Sequence, residues 1–194
     1  PVLWMLILIS ACNDSDTTVT AYDEILNRPP YADLTDSIKQ EPGKAEFYFR
    51  RAILLNTNSL PEPALADFQK AWSLKKEEQY ALGVATLLLD KKPEEAITFL
   101  NTAIKDIPNS LLLQLSLARG YDAANKTEEA LKIGDMILEK NPEQVDVLKM
   151  KADLLAKKGN TNEATAILEK AYTLTPFDVE LNYILALKYA EAKN

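Results

Sequence analysis

Three stretches decide the fold: residues 93–108 read PEEAITFLNTAIKDIP, residues 127–142 TEEALKIGDMILEKNP and residues 161–176 TNEATAILEKAYTLTP. Each opens on polar or acidic residues, then places an alanine, then closes on a proline. Ala96, Ala130 and Ala164 stand 34 residues apart, and so do Pro108, Pro142 and Pro176. Two marks held at one period over three copies indicate an internal repeat. Ala64 lies 32 residues before Ala96 and adds a fourth copy upstream. Within the copies apolar residues recur at spacings of three and four, the period of one buried stripe on a helix. Period-two alternation is nowhere sustained, so strands are excluded and the chain is predicted to be all-α.

The pattern resembles the tetratricopeptide repeat, a 34-residue helix–turn–helix unit with helices A and B. The first unit, 45–76, offers Tyr48, Ala52, Leu55, Ala64, Phe68 and Ala71, with Lys76 in place of the closing proline. The second, 77–110, offers Tyr80, Gly83, Leu87, Ala96, Leu100, Ala103 and Pro108. The third, 111–144, offers Leu117, Ala118, Tyr121, Ala130, Ile137 and Pro142; Gly134 stands where a large residue is expected, which predicts a packing gap. The fourth, 145–178, offers Leu148, Ala152, Leu155, Ala164, Leu168, Ala171 and Pro176, and 178–193 reads as a closing helix. Residues 30–43 resemble a degenerate half repeat, with Leu34 and Ile38 on one face, and Tyr22 to Leu26 a short helix. Thr127 and Thr161 are expected to cap the B helices. The implied architecture is an α-solenoid of about four such units with a C-terminal capping helix, each burying its apolar face against its neighbour.

Composition narrows the chemistry. The 194 residues include no histidine and one cysteine, which removes imidazole acid–base catalysis, Cys–His nucleophiles and nearly all zinc sites. The five glycines are scattered and form no phosphate loop. The paired carboxylates Glu94-Glu95 and Glu128-Glu129 recur with the repeat and, as helix neighbours, do not face one another. No catalytic residue, cofactor, metal or small-molecule substrate is expected. With 29 acids against 22 bases the net charge is −7, which disfavours nucleic acid as a partner.

The resemblance implies a concave groove lined by the A helices that accepts a protein or peptide ligand. Its positions carry over to Glu46, Phe49 and Ile53, then Glu78, Ala81, Ala85 and Leu88, then Leu112, Leu115, Arg119 and Asp122, then Asp146, Lys149 and Asp153, and finally Tyr183 and Leu187. An apolar first half followed by a charged second half suits an amphipathic ligand. The carboxylate clamp of chaperone-binding members is excluded, because Phe49 and Ile53, or Ala81 and Ala85, stand where its first two polar residues belong.

Residues 1–9 read PVLWMLILI, too short for a bilayer span and of the length of a signal-peptide core. The following Ile9-Ser10-Ala11-Cys12 resembles the lipobox of bacterial lipoproteins, which implies cleavage after residue 11 and lipidation of Cys12. No basic residue precedes the apolar run, so residues 1–11 are read as a signal peptide truncated at its start. Residues 12–29 are read as an acidic tether. The expectation is a scaffold anchored to a membrane of the bacterial cell envelope, the outer membrane in particular, serving complex assembly, secretion or surface organisation. The alternatives are a soluble cytoplasmic interaction module and a non-catalytic accessory subunit of an envelope enzyme.

Overall fold

The computed structural model describes residues 19–191. The stretch read as a signal peptide and the lipidation residue Cys12 lie outside the described residues. Within them the chain forms eleven helices and no strand: α1 (Val19–Leu26), α2 (Ala32–Gln40), α3 (Ala45–Thr57), α4 (Pro61–Leu74), α5 (Glu78–Leu89), α6 (Pro93–Asp106), α7 (Leu111–Ala123), α8 (Thr127–Lys140), α9 (Val145–Lys157), α10 (Thr161–Leu174) and α11 (Val179–Glu191). From α2 onward each helix packs on the next, and α7 also packs on α5. The result is an α-solenoid in which α3, α5, α7, α9 and α11 are the A helices and α4, α6, α8 and α10 the B helices.

The repeat alanines explain the close stacking. Ala52, Ala64, Ala71, Ala96, Ala103, Ala118, Ala130, Ala164 and Ala171 have no exposed surface. A methyl group at each crossing lets two helices approach, and Leu55, Leu100, Leu113, Leu154 and Leu181 fill the holes beside them. Each such leucine contributes about 1.5–3 kcal/mol by burial.

The short spacing between Ala64 and Ala96 has a local cause. Every B helix has 14 residues, but α5 has 12 where α3, α7 and α9 have 13. The turn 75–77, which lacks the proline, is also one residue shorter than 107–110, 141–144 and 175–178. Where helix A keeps its full length it ends on a left-handed residue, Ser59 (φ 61°), Asn125 (φ 59°) or Gly159 (φ 85°). The next amide then closes back over five residues, as from Lys126 N–H to the Tyr121 carbonyl at 2.8 Å.

That closure corrects the capping expectation. Lys126 and Asn160 finish the turn and serve as N-caps of α8 and α10, so Thr127 and Thr161 are already the first helical residues, and neither N-cap makes a side-chain bond. Side-chain caps occur instead on A helices: Ser110 Oγ accepts from the Leu113 amide and Asp178 Oδ1 from the Leu181 amide, both at 3.0 Å. Nor is Gly134 a gap. A Cβ there would lie 3.3 Å from Met150 Cε, so a long side chain from the next unit occupies the space. Gly83 is tighter still, because a Cβ would lie 2.5 Å from the buried Phe68 ring.

The N-terminal end is closed by the buried side chains of Tyr31 and Ile38 and by a buried ion pair. Arg51 on α3 grips Asp67 on α4 through two bonds, Nε to Oδ2 at 2.6 Å and Nη2 to Oδ1 at 2.8 Å. Its remaining nitrogen donates to Thr35 Oγ1 on α2 at 2.9 Å, and that hydroxyl donates to the Leu26 carbonyl at the end of α1 at 2.7 Å. The stretch read as a tether therefore contains helix α1, whose last residue is bonded to the body.

Candidate docking groove

The positions carried over to the first half of the groove mostly serve the core. Phe49 is half-buried, with its ring centroid 4.9 Å from that of Tyr80 and 5.8 Å from that of Phe68. Ala81, Ala85 and Leu88 are buried. Glu46 faces the Tyr80 hydroxyl at 3.5 Å, and Glu78 accepts a bond from Ser110, so both carboxylates link one unit to the next. Ile53, 46% exposed, and Leu112, 51% exposed, present free apolar surface. Leu115 does not: it is 6% exposed and packs with Ile137 and Val147. Its side chain is covered by α8 of its own unit and α9 of the next, which removes it from the groove.

The second half gathers its residues. Arg119 and Asp122 from α7, Asp146, Lys149 and Asp153 from α9, and Glu180 from α11 line one cleft of about 410 Å³, floored by Ala118, Met150, Leu154 and Ile184. Glu180 and the floor residues Ala118, Met150, Leu154 and Ile184 stand outside the groove positions carried over from the repeat. Glu180 was legible, because it stands one 34-residue step beyond Asp146. Tyr183, 65% exposed, and Leu187, 45% exposed, lie on α11.

The cleft holds two more carboxylates than cations. Lys149 is bonded to Glu180 and lies 3.6 Å from Asp178. Lys157, at the edge, reaches Asp122 at 2.7 Å and Asp153 at 2.8 Å. The Glu180 hydrogen bond, with the nearby charges of Asp178, Glu180 and Asp146, raises the Lys149 amine above its usual value. The bonds that Lys157 donates to Asp122 and Asp153 do the same for its amine. These shifts move the amines away from neutrality, the reverse of what a general base requires. Among the described residues no group of three or more His, Cys, Asp or Glu is placed to hold a metal ion. Two further hollows, of about 460 and 470 Å³, lie around Phe99 and around Leu65 and Leu87, and no motif pointed to them.

Residues 87–154 match a family profile described as tetratricopeptide repeat, and residues 146–178 match a second of the same description. No curated protein matches the sequence. Among solved structures, the chain is similar to TTC0263, a thermophilic TPR protein in Thermus thermophilus, with 18% identity, 89% of this chain and 96% of that one covered, and a TM-score of 0.66. It is similar to MamA (41-end) from Desulfovibrio magneticus RS-1, with 16% identity over 87% and 99% of the two chains and a TM-score of 0.64. It is also similar to YrrB, described as a TPR protein with an unusual peptide-binding site, with 21% identity over 83% and 84% and a TM-score of 0.58. At these identities the likeness is one of fold.

Proposed function

We propose that this chain, which carries tetratricopeptide repeats across residues 87–178, is a non-catalytic scaffold that holds a protein or peptide partner on its A-helix face. The observation that carries this reading is the cleft between α7, α9 and α11. It brings six charged side chains from three successive A helices to one surface. Such an arrangement recognises an extended or helical segment by charge and shape, with no group poised for proton or nucleophile chemistry. A protein of the same fold, YrrB, is described as having a peptide-binding site.

We further propose that the scaffold works in the bacterial cell envelope, held at the outer membrane by lipid on Cys12. The support is the sequence Ile9-Ser10-Ala11-Cys12 after an uncharged apolar run. Two or three acyl chains hold firmly, at about 0.8 kcal/mol per buried CH₂. Anchoring would raise the local concentration of a partner at the membrane face.

Two experiments test the reading. A photo-crosslinking residue placed in cells at Ile53, Leu112 or Arg119 is expected to capture a shared protein adduct. The same residue at Glu62 or Glu139, exposed on B helices, is expected to capture none. Adducts from both sets alike would refute the groove. Feeding a clickable palmitate analogue is expected to label the chain, and Cys12→Ser is expected to abolish the label; a label that survives that change would refute the anchor.

A further inference from the structure

Helix α11 is apolar on both sides. Leu181 and Leu185 face the body and are buried. Val179, Tyr183 and Leu187 follow at spacings of four residues on the opposite side, and are 82%, 65% and 45% exposed. They form a stripe about 12 Å long at 1.5 Å per residue. The exposed Ala186 and Ala190 lie beside it, and Phe177, 93% exposed, precedes it. A contiguous apolar stripe left exposed on the side away from the core calls for a cover.

The charge beside the stripe says what kind. Glu180, next to Val179 on α11, belongs to the cleft that Asp146 and Asp153 of α9 also line. Lys149 is committed to Glu180 and Asp178, and Lys157 to Asp122 and Asp153; Arg119 is the one cleft cation with no ion pair among the described residues, and the lining still holds two more carboxylates than cations. Asp146 has no ion pair among the described residues. A second copy of this chain would bring the same acidic border and a net charge of −7 against itself. A cationic partner meets opposite charge instead. We infer that the Val179–Tyr183–Leu187 stripe docks an amphipathic helix whose apolar face covers the stripe and whose Lys or Arg side chains reach Asp146 and Asp153. The inference rests on the reading of the A-helix face as the working surface, and adds the chemistry of the partner.

The test uses the full chain and three fluorescent peptides of about five helical turns: an amphipathic Leu/Lys helix, a Leu/Glu helix of the same pattern and a scrambled Leu/Lys sequence. Fluorescence anisotropy is expected to show the amphipathic Leu/Lys peptide binding at least about 10-fold tighter than the other two, with affinity falling as salt rises. Tyr183→Ser with Leu187→Ser is expected to weaken it by about 10-fold or more, with circular dichroism and melting unchanged because both side chains are exposed. Asp146→Lys with Asp153→Asn is expected to weaken it similarly and to flatten the salt dependence, while Glu62→Lys with Glu139→Lys leaves it intact. Equal loss in that control pair, or no binding by any peptide, overturns the proposal. Equal affinity for the Leu/Glu helix, still lost with Tyr183 and Leu187, overturns the cationic partner but leaves the docking face standing. Insensitivity of every bound peptide to Tyr183 and Leu187 overturns the docking stripe, leaving the scaffold reading to the crosslinking result. A concentration-dependent dimer in sedimentation, abolished by Tyr183→Ser with Leu187→Ser, would give the stripe to a second copy and also overturn the proposal.

Discussion

Replacing Arg51 and Asp67 one at a time and together separates what the buried ion pair costs from what it holds. The two residues are 7% and 6% exposed, so neither charge has water to fall back on. Asp67→Leu leaves the Arg51 guanidinium with Thr35 alone. The loss includes two charge-assisted bonds at roughly 1.5–3 kcal/mol each. An uncompensated buried charge is expected to cost about 3–5 kcal/mol, the same range. Arg51→Met is expected to cost about as much, since it strands the carboxylate. The double change, Arg51→Met with Asp67→Leu, removes both charges and fills the volume. It is expected to lie within about 1 kcal/mol of the original chain, or above it. Thr35 keeps its own bond to the Leu26 carbonyl throughout. Burial raises the Asp67 carboxyl above its usual 3.8, and the Arg51 hydrogen bond and charge pull it back only in part. A carboxyl raised on folding contributes most below 3.8 and loses that contribution as pH rises through the folded value. The original chain should therefore gain on the double variant as pH falls from 7 toward 4. Urea unfolding followed by circular dichroism gives the stabilities, and hydrogen exchange over α1–α4 localises them, because a stack of this kind opens unit by unit. Singles that cost under about 1 kcal/mol, or a double that costs the sum of the two, would refute the account.

Three further outcomes are expected. Gly83→Ala should lower stability by about 1–3 kcal/mol through the Phe68 ring, whereas Gly134→Ala meets only the mobile end of Met150 and should gain up to about 1 kcal/mol from helix propensity; opposite shifts in melting temperature check both. Leu115→Ala should cost about 2–5 kcal/mol as a core truncation, while Leu112→Ala at the exposed position stays within about 0.5 kcal/mol, again read by melting. The Leu181 amide, with the charge of Lys149, holds the Asp178 carboxylate below its usual 3.8. Its contribution is present above that value and is lost as pH falls through the lower folded one, so α11 amides should exchange faster than those of α9 at pH 3 relative to pH 5.

The fold was legible because its marks are local and periodic: a buried alanine in each B helix, and a proline after the last three of them, repeated at 34 residues. The Arg51–Asp67 clamp left a weaker trace. Asp67 occupies the repeat position held elsewhere by Phe99, Ile133 and Ile167, and Arg51 that of Gly83, Leu117, Lys151 and Leu185. The acid breaking an apolar position was the signal, and it is read only by comparing copies, whereas the Arg51 position already admits a lysine. The groove was harder, since one repeat position has different fates in different units. Phe49, Ala81, Leu115, Lys149 and Tyr183 are equivalent in sequence. Each is covered by its own unit's B helix and by the next unit, as Leu115 is by Ile137 and Val147 and Phe49 by Phe68 and Tyr80. Leu115 and Ala81 are buried, Phe49 and Lys149 half-buried, and Tyr183, with no helix after its own among the described residues, is exposed. That cover is a property of stacking and is written in no single unit.

The two ends of the stack differ in a way that bears on how a tethered scaffold would work. At the start, α1 and α2 are bound through Thr35 and Arg51 to the first A–B pair, so a load entering along the N-terminal chain reaches four helices through bonds of 2.6–2.9 Å. At the other end, α11 is tied to α9 by the exposed Lys149–Glu180 pair and offers apolar surface. Between α3 and α11 lie four steps from one A helix to the next, roughly 30–40 Å at 8–10 Å per packed helix. If Cys12 carries the lipid, the clamped end sits at the membrane and the open end faces away, so a partner reaches the α11 stripe without approaching the headgroups. The acidic residues between Cys12 and α2 reinforce that orientation, because anionic lipid repels them. Replacing Cys12 by Ser and coupling a maleimide lipid to a cysteine added at the C-terminus would reverse the geometry on vesicles. Partner capture through Tyr183 and Leu187 is then expected to fall although groove, clamp and anchor are all retained; undiminished capture would show that orientation plays no part.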